Sequence, residues 1–479
     1  MKKFCKILAF LLIFTVILGL LAPLVVSAND SEGMSDTDDA SVITGCHSPD
    51  AQIAVLGNTP LVSNVQSAFV YERKSETLMY AWNADLPMDP ASLVKIMTAF
   101  IAVEHGNLKD VVTVKQAVID TVPYDAVSAD LVADEVMTVE DLLLCMMVGS
   151  ANDAAAVIAD HIGGDVASFV ALMNETAQQL NCNGTTFTNP HGLYNAQQRT
   201  TARDVARILN AALENESFVR IFTTVDYTVP ATNKSPAREL TTGNFLMTQD
   251  DMEIYYDSRV TGGRTGVAQD GTRCLAISAT NGDMNLISVV MGAKSVYQED
   301  SHIVQSFGGF NETKELLDNS FNGYKSFQII AQGQVLLQRE LSGSSDVLSL
   351  GATEDCYAVL PEDIKTSELS YRYVDIAEAL ELPVKKGTGV SVVEIWYGGM
   401  CVAQTQLHAM NSVAKHSAVE IKPIDKTDKF PWSTVIWILV IAAIVVAAIF
   451  VGIRLVNGYK RKKHDRRSRR HRQDRRRNS

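Results

Sequence analysis

The chain has 479 residues, 47% of them hydrophobic and 20% charged, with a net charge of −13. At about 100–200 residues per domain it is too long for one domain, and it is too apolar to be mainly disordered. A mean hydropathy of +0.05 excludes a polytopic membrane protein. The charge is unevenly spread: residues 29–453 hold 26 Lys and Arg against 53 Asp and Glu, a net −27, whereas residues 460–477 hold 12 Lys and Arg against Asp465 and Asp474. So acidic a central part argues against nucleic-acid binding there.

The first 28 residues combine Lys2, Lys3 and Lys6, an apolar run from Ile7 to Leu21 and the small exit residues Ser27 and Ala28. These are the parts of a secretory signal peptide cleaved after Ala28, with an uncleaved anchor as the plainer alternative. Residues 29–50 are polar and acidic and read as a disordered spacer. Ser67–Tyr71 and Leu78–Trp82, around the polar Glu72–Thr77, predict a hairpin. From Ala91 the apolar residues Leu93, Ile96, Met97, Phe100 and Ile101 recur at helical steps. Further helices are expected at Val139–Met147 with Thr138 as cap, at Ala154–Ile162 ending on Gly163-Gly164, at Val166–Leu180 and at Ala202–Leu213. Strands are expected at Cys274–Ala279 and Leu286–Met291.

After about Gly323 short β-like runs dominate: Phe327–Ala331, Val335–Leu337, Val392–Trp396 and Cys401–Gln404. The expected organisation is a first domain at 51–322, a β-rich domain at 323–410 and a stalk at 411–431. Residues 432–453 are 22 residues without a charge. As a helix they would extend roughly 33 Å, enough for a hydrocarbon core of about 30 Å. The basic residues 454–479 then form a cytoplasmic tail, which leaves the middle of the chain outside the cell membrane. A basic tail can also bind nucleic acid, but a stop-transfer segment touching anionic lipid is the plainer reading.

Six cysteines lie beyond the leader, with no C-x-x-C pair. Cys145 and Cys274 sit in apolar runs and read as buried thiols rather than nucleophiles. Export permits disulfides, and Cys356 with Cys401 is the pair to test.

Ser92-Leu93-Val94-Lys95 is an S-x-x-K. On a helix, positions i and i+3 share a face, so the Lys amine can reach the Ser hydroxyl. A desolvated Lys beside another cation has a lowered pKa and can take the hydroxyl proton. Alone the motif is weak, because Ser412–Lys415 repeats it. Ser150-Ala151-Asn152 is an S-x-N, and Ser320-Phe321-Asn322 is a second. A third element, Gly263-Arg264-Thr265-Gly266, brings a cation, a hydroxyl and glycines to a strand edge. There the backbone can approach a substrate, and the cation and hydroxyl can bind a carboxylate.

Taken in order, Pro90–Ala99, Gly149–Ala155, Thr186–Leu193, Thr201–Asp204 and Leu380–Gly387 resemble the D-alanyl-D-alanine carboxypeptidases. These are low-molecular-mass penicillin-binding proteins with a serine β-lactamase-like fold. The resemblance runs from about Ser67 to Val413. It implies an α+β catalytic domain, a mostly antiparallel sheet flanked by helices, followed by a small all-β domain and one C-terminal transmembrane helix. It implies that Ser92 is the nucleophile, Lys95 its base and Ser150 a proton relay to the leaving D-alanine. Asn152 would bind the substrate backbone, and Arg264, Thr265 and Gly266 the terminal carboxylate. The backbone N–H groups of Ser92 and Val267 would form the oxyanion hole. The implied partners are the peptidoglycan stem peptide and, as covalent inhibitors, β-lactams; no metal or other cofactor is implied.

The family usually carries Lys where this chain has Arg264. Arg keeps the charge and the capacity for paired hydrogen bonds but releases a proton far less readily. Two rival readings follow: a β-lactamase, which must deacylate rapidly, and a binding or sensor protein acylated by penicillin with little turnover. His191 reads as structural, Asp204 as an early-helix charge, and Met146 and Met147 as core.

Overall fold

In this computed structural model residues 50–415 are described, save 52, 250–252, 298–303 and 377–379, together with Val440, Val451 and Arg454. The expected signal peptide, the spacer up to its last residue, the stalk beyond Lys415, the transmembrane segment apart from Val440 and Val451, and the tail beyond Arg454 lie outside the described residues. Among the described residues no single helix is long and apolar enough to cross a membrane. The chain divides into two units, residues 1–339 with 348–412, and residues 340–347 with 413–479. In the second, residues 340–347 carry the end of one strand, a turn and the start of the next.

In the first unit, a five-stranded antiparallel sheet organises the catalytic region. Its strands are β1 (Ser67–Glu72), β2 (Thr77–Trp82), β3 (Val260–Val267), β4 (Arg273–Asn281) and β5 (Met284–Ala293), in the order β2-β1-β5-β4-β3. Both faces are covered, so β4 reads as a near-continuous apolar run. Cys274 and Ala276 face the helical core, while Leu275, Ile277 and Ala279 face the opposite one. That is the two-residue alternation of a strand buried on both sides.

The helical face holds α1 (Val94–His105), α2 (Val139–Met147), α3 (Asn152–Gly163), α4 (Val166–Gln179) and α5 (Ala202–Ala212). Their ends follow local chemistry. Thr138, Asp165 and Thr201 accept from the N–H groups of Asp141, Ser168 and Asp204, satisfying donors that a helix start leaves free. Gly164 closes α3 at φ +79°, a conformation that favours glycine. The other face is covered by α6 (Phe310–Phe321), through Phe310, Leu316 and Leu317. The sequence reading gave no assignment to this helix.

From Tyr324 the described chain is β-rich. β6 (Tyr324–Ile330) pairs with β9 (Cys356–Pro361). A second sheet has the order β7-β8-β12-β11-β10, from β7 (Val335–Glu340), β8 (Val347–Ala352), β10 (Ser370–Asp375), β11 (Gly389–Tyr397) and β12 (Met400–Ala409). The architecture is an α+β region around an antiparallel sheet, followed by an all-β region.

Contrary to the expected pairing, Cys356 and Cys401 are free thiols. No bridge joins Cys356 to Cys401, because each thiol donates to a different carbonyl of β12. Cys356 Sγ lies 3.8 Å from Gln404 O, and Cys401 Sγ lies 3.4 Å from Ala403 O.

Candidate active site

The site forms where the start of α1, the turn between α2 and α3, and the edge strand β3 meet. Ser92 lies in a single 3₁₀ turn, Ala91–Leu93, that leads into α1. The three-residue spacing places Lys95 Nζ 3.1 Å from Ser92 Oγ. Lys95 is fully buried. Its amine also donates to Asn152 Oδ1 at 2.8 Å and to the backbone carbonyl of His191 at 2.6 Å. Three acceptors therefore surround an ammonium with three protons. A neutral amine keeps two N–H donors for Asn152 and His191, and its lone pair then faces the Ser92 hydroxyl. Burial, and next the charge of Arg264, hold the Lys95 pKa well below the ordinary lysine value, while Asp153 opposes the shift. The neutral base required for serine activation is thus favoured by the packing itself.

Asn152 opens α3, and its side chain is fixed at both ends: Oδ1 by Lys95, and Nδ2 by donation to Val127 O at 2.9 Å. The next residue, Asp153, is buried. Its carboxylate accepts from Ser128 Oγ and from the N–H groups of Ala129, Leu131 and Ala154. This cage locks the 127–131 loop over α3. The sequence reading did not single out Asp153, although its place in the early turn of a helix was a visible signal.

Arg264 points inward from β3 and is almost wholly buried. Each of its three nitrogens donates to the protein: Nε to Ser92 O at 3.3 Å, Nη1 to Met147 O at 3.0 Å and Nη2 to Ser150 Oγ. Burial lowers its pKa to about 10, which still leaves it a cation at neutral pH. Arg264 therefore ties all three motifs together. Ser150 sits at φ +62° and Ala91, beside the nucleophile, at φ +44°. Left-handed backbone at a residue with a side chain costs about 1–3 kcal/mol and is concentrated at functional sites.

Glycines set the closest approaches. A Cβ on Gly266 would lie 2.8 Å from Ser92 N and 2.9 Å from Cys274 Sγ, so β3 can pass beside the nucleophile only with glycine there. Gly192, at φ +87°, faces Ala91 O so closely that a Cβ would stand 1.9 Å away. Thr98 Oγ1 donates to Pro190 O at 2.6 Å and holds the same segment against α1. The His191 carbonyl is thus positioned from two sides, and sequence reasoning missed this backbone role. The His191 ring is a structural group: burial, then Lys95, depress its pKa to about 3, and Nδ1 accepts from Leu193 N–H.

The structure brings Ser92, Lys95, Ser150, Asn152 and Arg264 into one hydrogen-bonded cluster, with Gly266 against it. Thr265 and Val267 lie on β3, at the free edge of the sheet, and Val267 is 56% exposed. Ser320 is a buried helix residue whose hydroxyl donates to Leu316 O, and Ser412 Oγ accepts from Lys386 N. The duplicate motifs are thereby accounted for without chemistry.

A family model described as D-alanyl-D-alanine carboxypeptidase matches residues 57–295, and one described as penicillin-binding protein 5, C-terminal domain, matches residues 324–415. The D-alanyl-D-alanine carboxypeptidase DacA of Haemophilus influenzae is 29% identical over 383 residues, 78% of this chain and 91% of the relative. DacC of Escherichia coli is 31% identical over 343 residues, 69% of this chain and 80% of the relative. The crystal structure of penicillin binding protein 5 from Haemophilus influenzae matches with a TM-score of 0.63 at 29% identity, over 75% of this chain and the whole of the other.

Proposed function

This chain belongs to the D-alanyl-D-alanine carboxypeptidase family, and from that premise we propose that it removes the terminal D-alanine from peptidoglycan pentapeptide stems through an acyl-enzyme on Ser92. It is a serine-type D-alanyl-D-alanine carboxypeptidase. The observation that carries the assignment of roles is the buried Lys95 amine, 3.1 Å from Ser92 Oγ and held by Asn152 and the His191 carbonyl.

Neutral Lys95 takes the hydroxyl proton as Ser92 Oγ bonds to the carbonyl carbon between the two D-alanines. The resulting oxyanion is received by the N–H groups of Ser92 and Val267, where a donor is worth about 3 kcal/mol of transition-state stabilisation. The C–N bond breaks as the leaving nitrogen gains a proton through Ser150, and D-alanine departs. Water then hydrolyses the ester, returning the Ser92 hydroxyl. Asn152 orients both Lys95 and the substrate backbone. Arg264 acts through its charge on Lys95 and its hydrogen bond to Ser150. A β-lactam acylates the same Ser92 and is released slowly.

The exported leader, the uncharged run 432–453 and the basic tail support a single-pass protein of the cell membrane, with the site outside and residues 454–479 in the cytoplasm. The test is D-alanine release from diacetyl-Lys-D-Ala-D-Ala by the full chain beside Ser92→Ala. Release is expected from the first and none from the second. Penicillin acylation of Ser92 without release would instead establish a penicillin-binding sensor, and rapid penicillin turnover a β-lactamase.

A further inference from the structure

We propose that Asp89 is a positioning residue that sets the spacing between the two backbone donors of the oxyanion hole, Ser92 N–H and Val267 N–H. The inference rests on the reading of Ser92 as an acylated nucleophile, and it adds a residue that lies outside all three motifs. The Asp89 carboxylate bridges two segments: Oδ1 accepts from Ala91 N–H at 3.0 Å, and Oδ2 accepts from Gln269 N–H at 3.1 Å. Ala91 immediately precedes Ser92, and Gln269 follows Val267 by two residues. One half-buried side chain thus ties the turn that carries the nucleophile to the end of β3, across 180 positions of sequence.

Both segments are braced, so the restraint reaches the donors. On the β3 side, Val267 is paired with Arg273 in the sheet. Ala268 N–H donates to Thr272 O at 2.8 Å and Gly271 N–H to Ala268 O at 2.9 Å, which closes the β3–β4 turn on itself. On the other side, Met88 exchanges backbone hydrogen bonds of 2.8 and 2.9 Å with Thr200 and anchors Asp89 from behind. Ala91 stands at φ +44°, a conformation that a residue with a side chain keeps only under restraint, and its N–H is the one that Asp89 accepts. The gap between the two segments is narrow, since a Cβ on Gly266 would lie 2.8 Å from Ser92 N. The residue type follows from the donors. Both are N–H groups, so the bridge needs two acceptor oxygens, which a carboxylate has and an amide lacks. An oxyanion hole works only with its donors about 2.7–3.1 Å from where the charge develops. A restraint on their separation is therefore a restraint on the rate, and a displacement of about 1 Å costs about 100-fold.

The experiment compares the full chain with Asp89→Ala, Asp89→Asn and Asp270→Ala. Asp270 is the control, because its carboxylate accepts from the N–H and hydroxyl of Thr272 inside the β3–β4 turn. Two probes are used. Benzylpenicillin gives the maximal rate of Ser92 acylation and the concentration for half-saturation. A peptidyl boronic acid ending in the boron analogue of D-alanine gives a dissociation constant; its boron bonds to Ser92 Oγ as Lys95 takes the proton, and one of its oxygens occupies the hole. Asp89→Ala should lower the maximal acylation rate and the boronic acid affinity by similar factors, about 10- to 100-fold, with half-saturation within about threefold of the parent. Asp89→Asn keeps one acceptor and should fall between, and it carries the comparison if the alanine variant does not fold. Asp270→Ala should match the parent on both probes. A lowered urea midpoint for the Asp89 variants, with acylation per folded molecule and boronic acid affinity unchanged, would overturn the inference. Equal losses in Asp270→Ala would overturn it as well. If the parent is acylated but releases no D-alanine from diacetyl-Lys-D-Ala-D-Ala, the carboxypeptidase reading fails, and the two probes still decide the role of Asp89. A parent that reacts with neither probe overturns both.

Discussion

Between Ser67 and Ala293 the molecule buries Glu72, Lys95, Glu135, Asp153, Arg203, Asp204, Asp257 and Arg264. Between Tyr324 and Ser412 the only buried polar residue among those described is Ser391, whose hydroxyl donates to Asp375 Oδ1 at 2.8 Å. Burying an ion costs several kcal/mol unless partners recover it. The catalytic region accepts that cost repeatedly and meets it with specific partners. Glu135 is paired with Arg238, Asp153 is caged by N–H groups, and Glu72 accepts from Ser75 and Asn285. The β-rich region avoids the cost and packs apolar side chains such as Leu350, Val393, Ile395 and Leu407. Among the described residues, the buried charged side chains therefore belong to the first region.

The largest effect expected from that contrast is at Lys95. Lys95→Met removes the buried base and should lower Ser92 acylation by a fluorescent penicillin about 10²- to 10⁴-fold. A variant that acylates at the parent rate would mean that another group takes the proton.

Leu407→Ala probes the other side of the comparison. Leu407 is fully buried in β12. The truncation should cost about 2–5 kcal/mol of stability in urea unfolding, while acylation per folded molecule at 25 °C stays at the parent rate. A parallel loss of acylation would show that the two regions are coupled at the active site.

The smallest effect is a pH slope. His191 is held to about 3 in the folded protein against 6.5 as its ordinary value. Between those values the unfolded chain binds a proton that the folded chain does not. The His191 contribution is therefore complete above about pH 6.5 and is lost as pH falls towards 3, by about 1.4 kcal/mol per pH unit. His191→Asn should flatten the urea-midpoint profile between pH 6 and 4; parallel profiles would refute the burial account. Lys95, also depressed, follows the same sign at higher pH, losing stability as pH falls below the ordinary lysine range.

Much of this site was legible in the chain. Helical spacing joins Ser92 to Lys95 whatever else the protein does, and α2 and its Thr138 cap follow from apolar period and capping chemistry. Other parts were hidden for physical reasons. β3 carries Gly262, Gly263 and Gly266, poor strand formers. They are needed because Phe222, Asn244 and the backbone of Ser92 crowd those Cβ positions. A backbone carbonyl leaves no mark on residue identity, so the role of His191 O in holding Lys95 could not be read in advance. Cys356 and Cys401 look like a pair by compartment and count, but side-chain direction within β12 and its neighbour decides otherwise.

By itself, then, the sequence determined the order of motifs, the nucleophile–base pair and the alternation of helical and β-rich regions, because each depends on spacing within one element. Only the tertiary structure decided where Arg264 and Arg273 point. Arg264 and Arg273 are nine residues apart on adjacent strands, and register places them on opposite faces of the sheet. One is buried among carbonyls and hydroxyls, and the other rests on an aromatic ring. Which face a side chain takes is fixed by how two strands pair, and that pairing is a property of the folded sheet rather than of either strand.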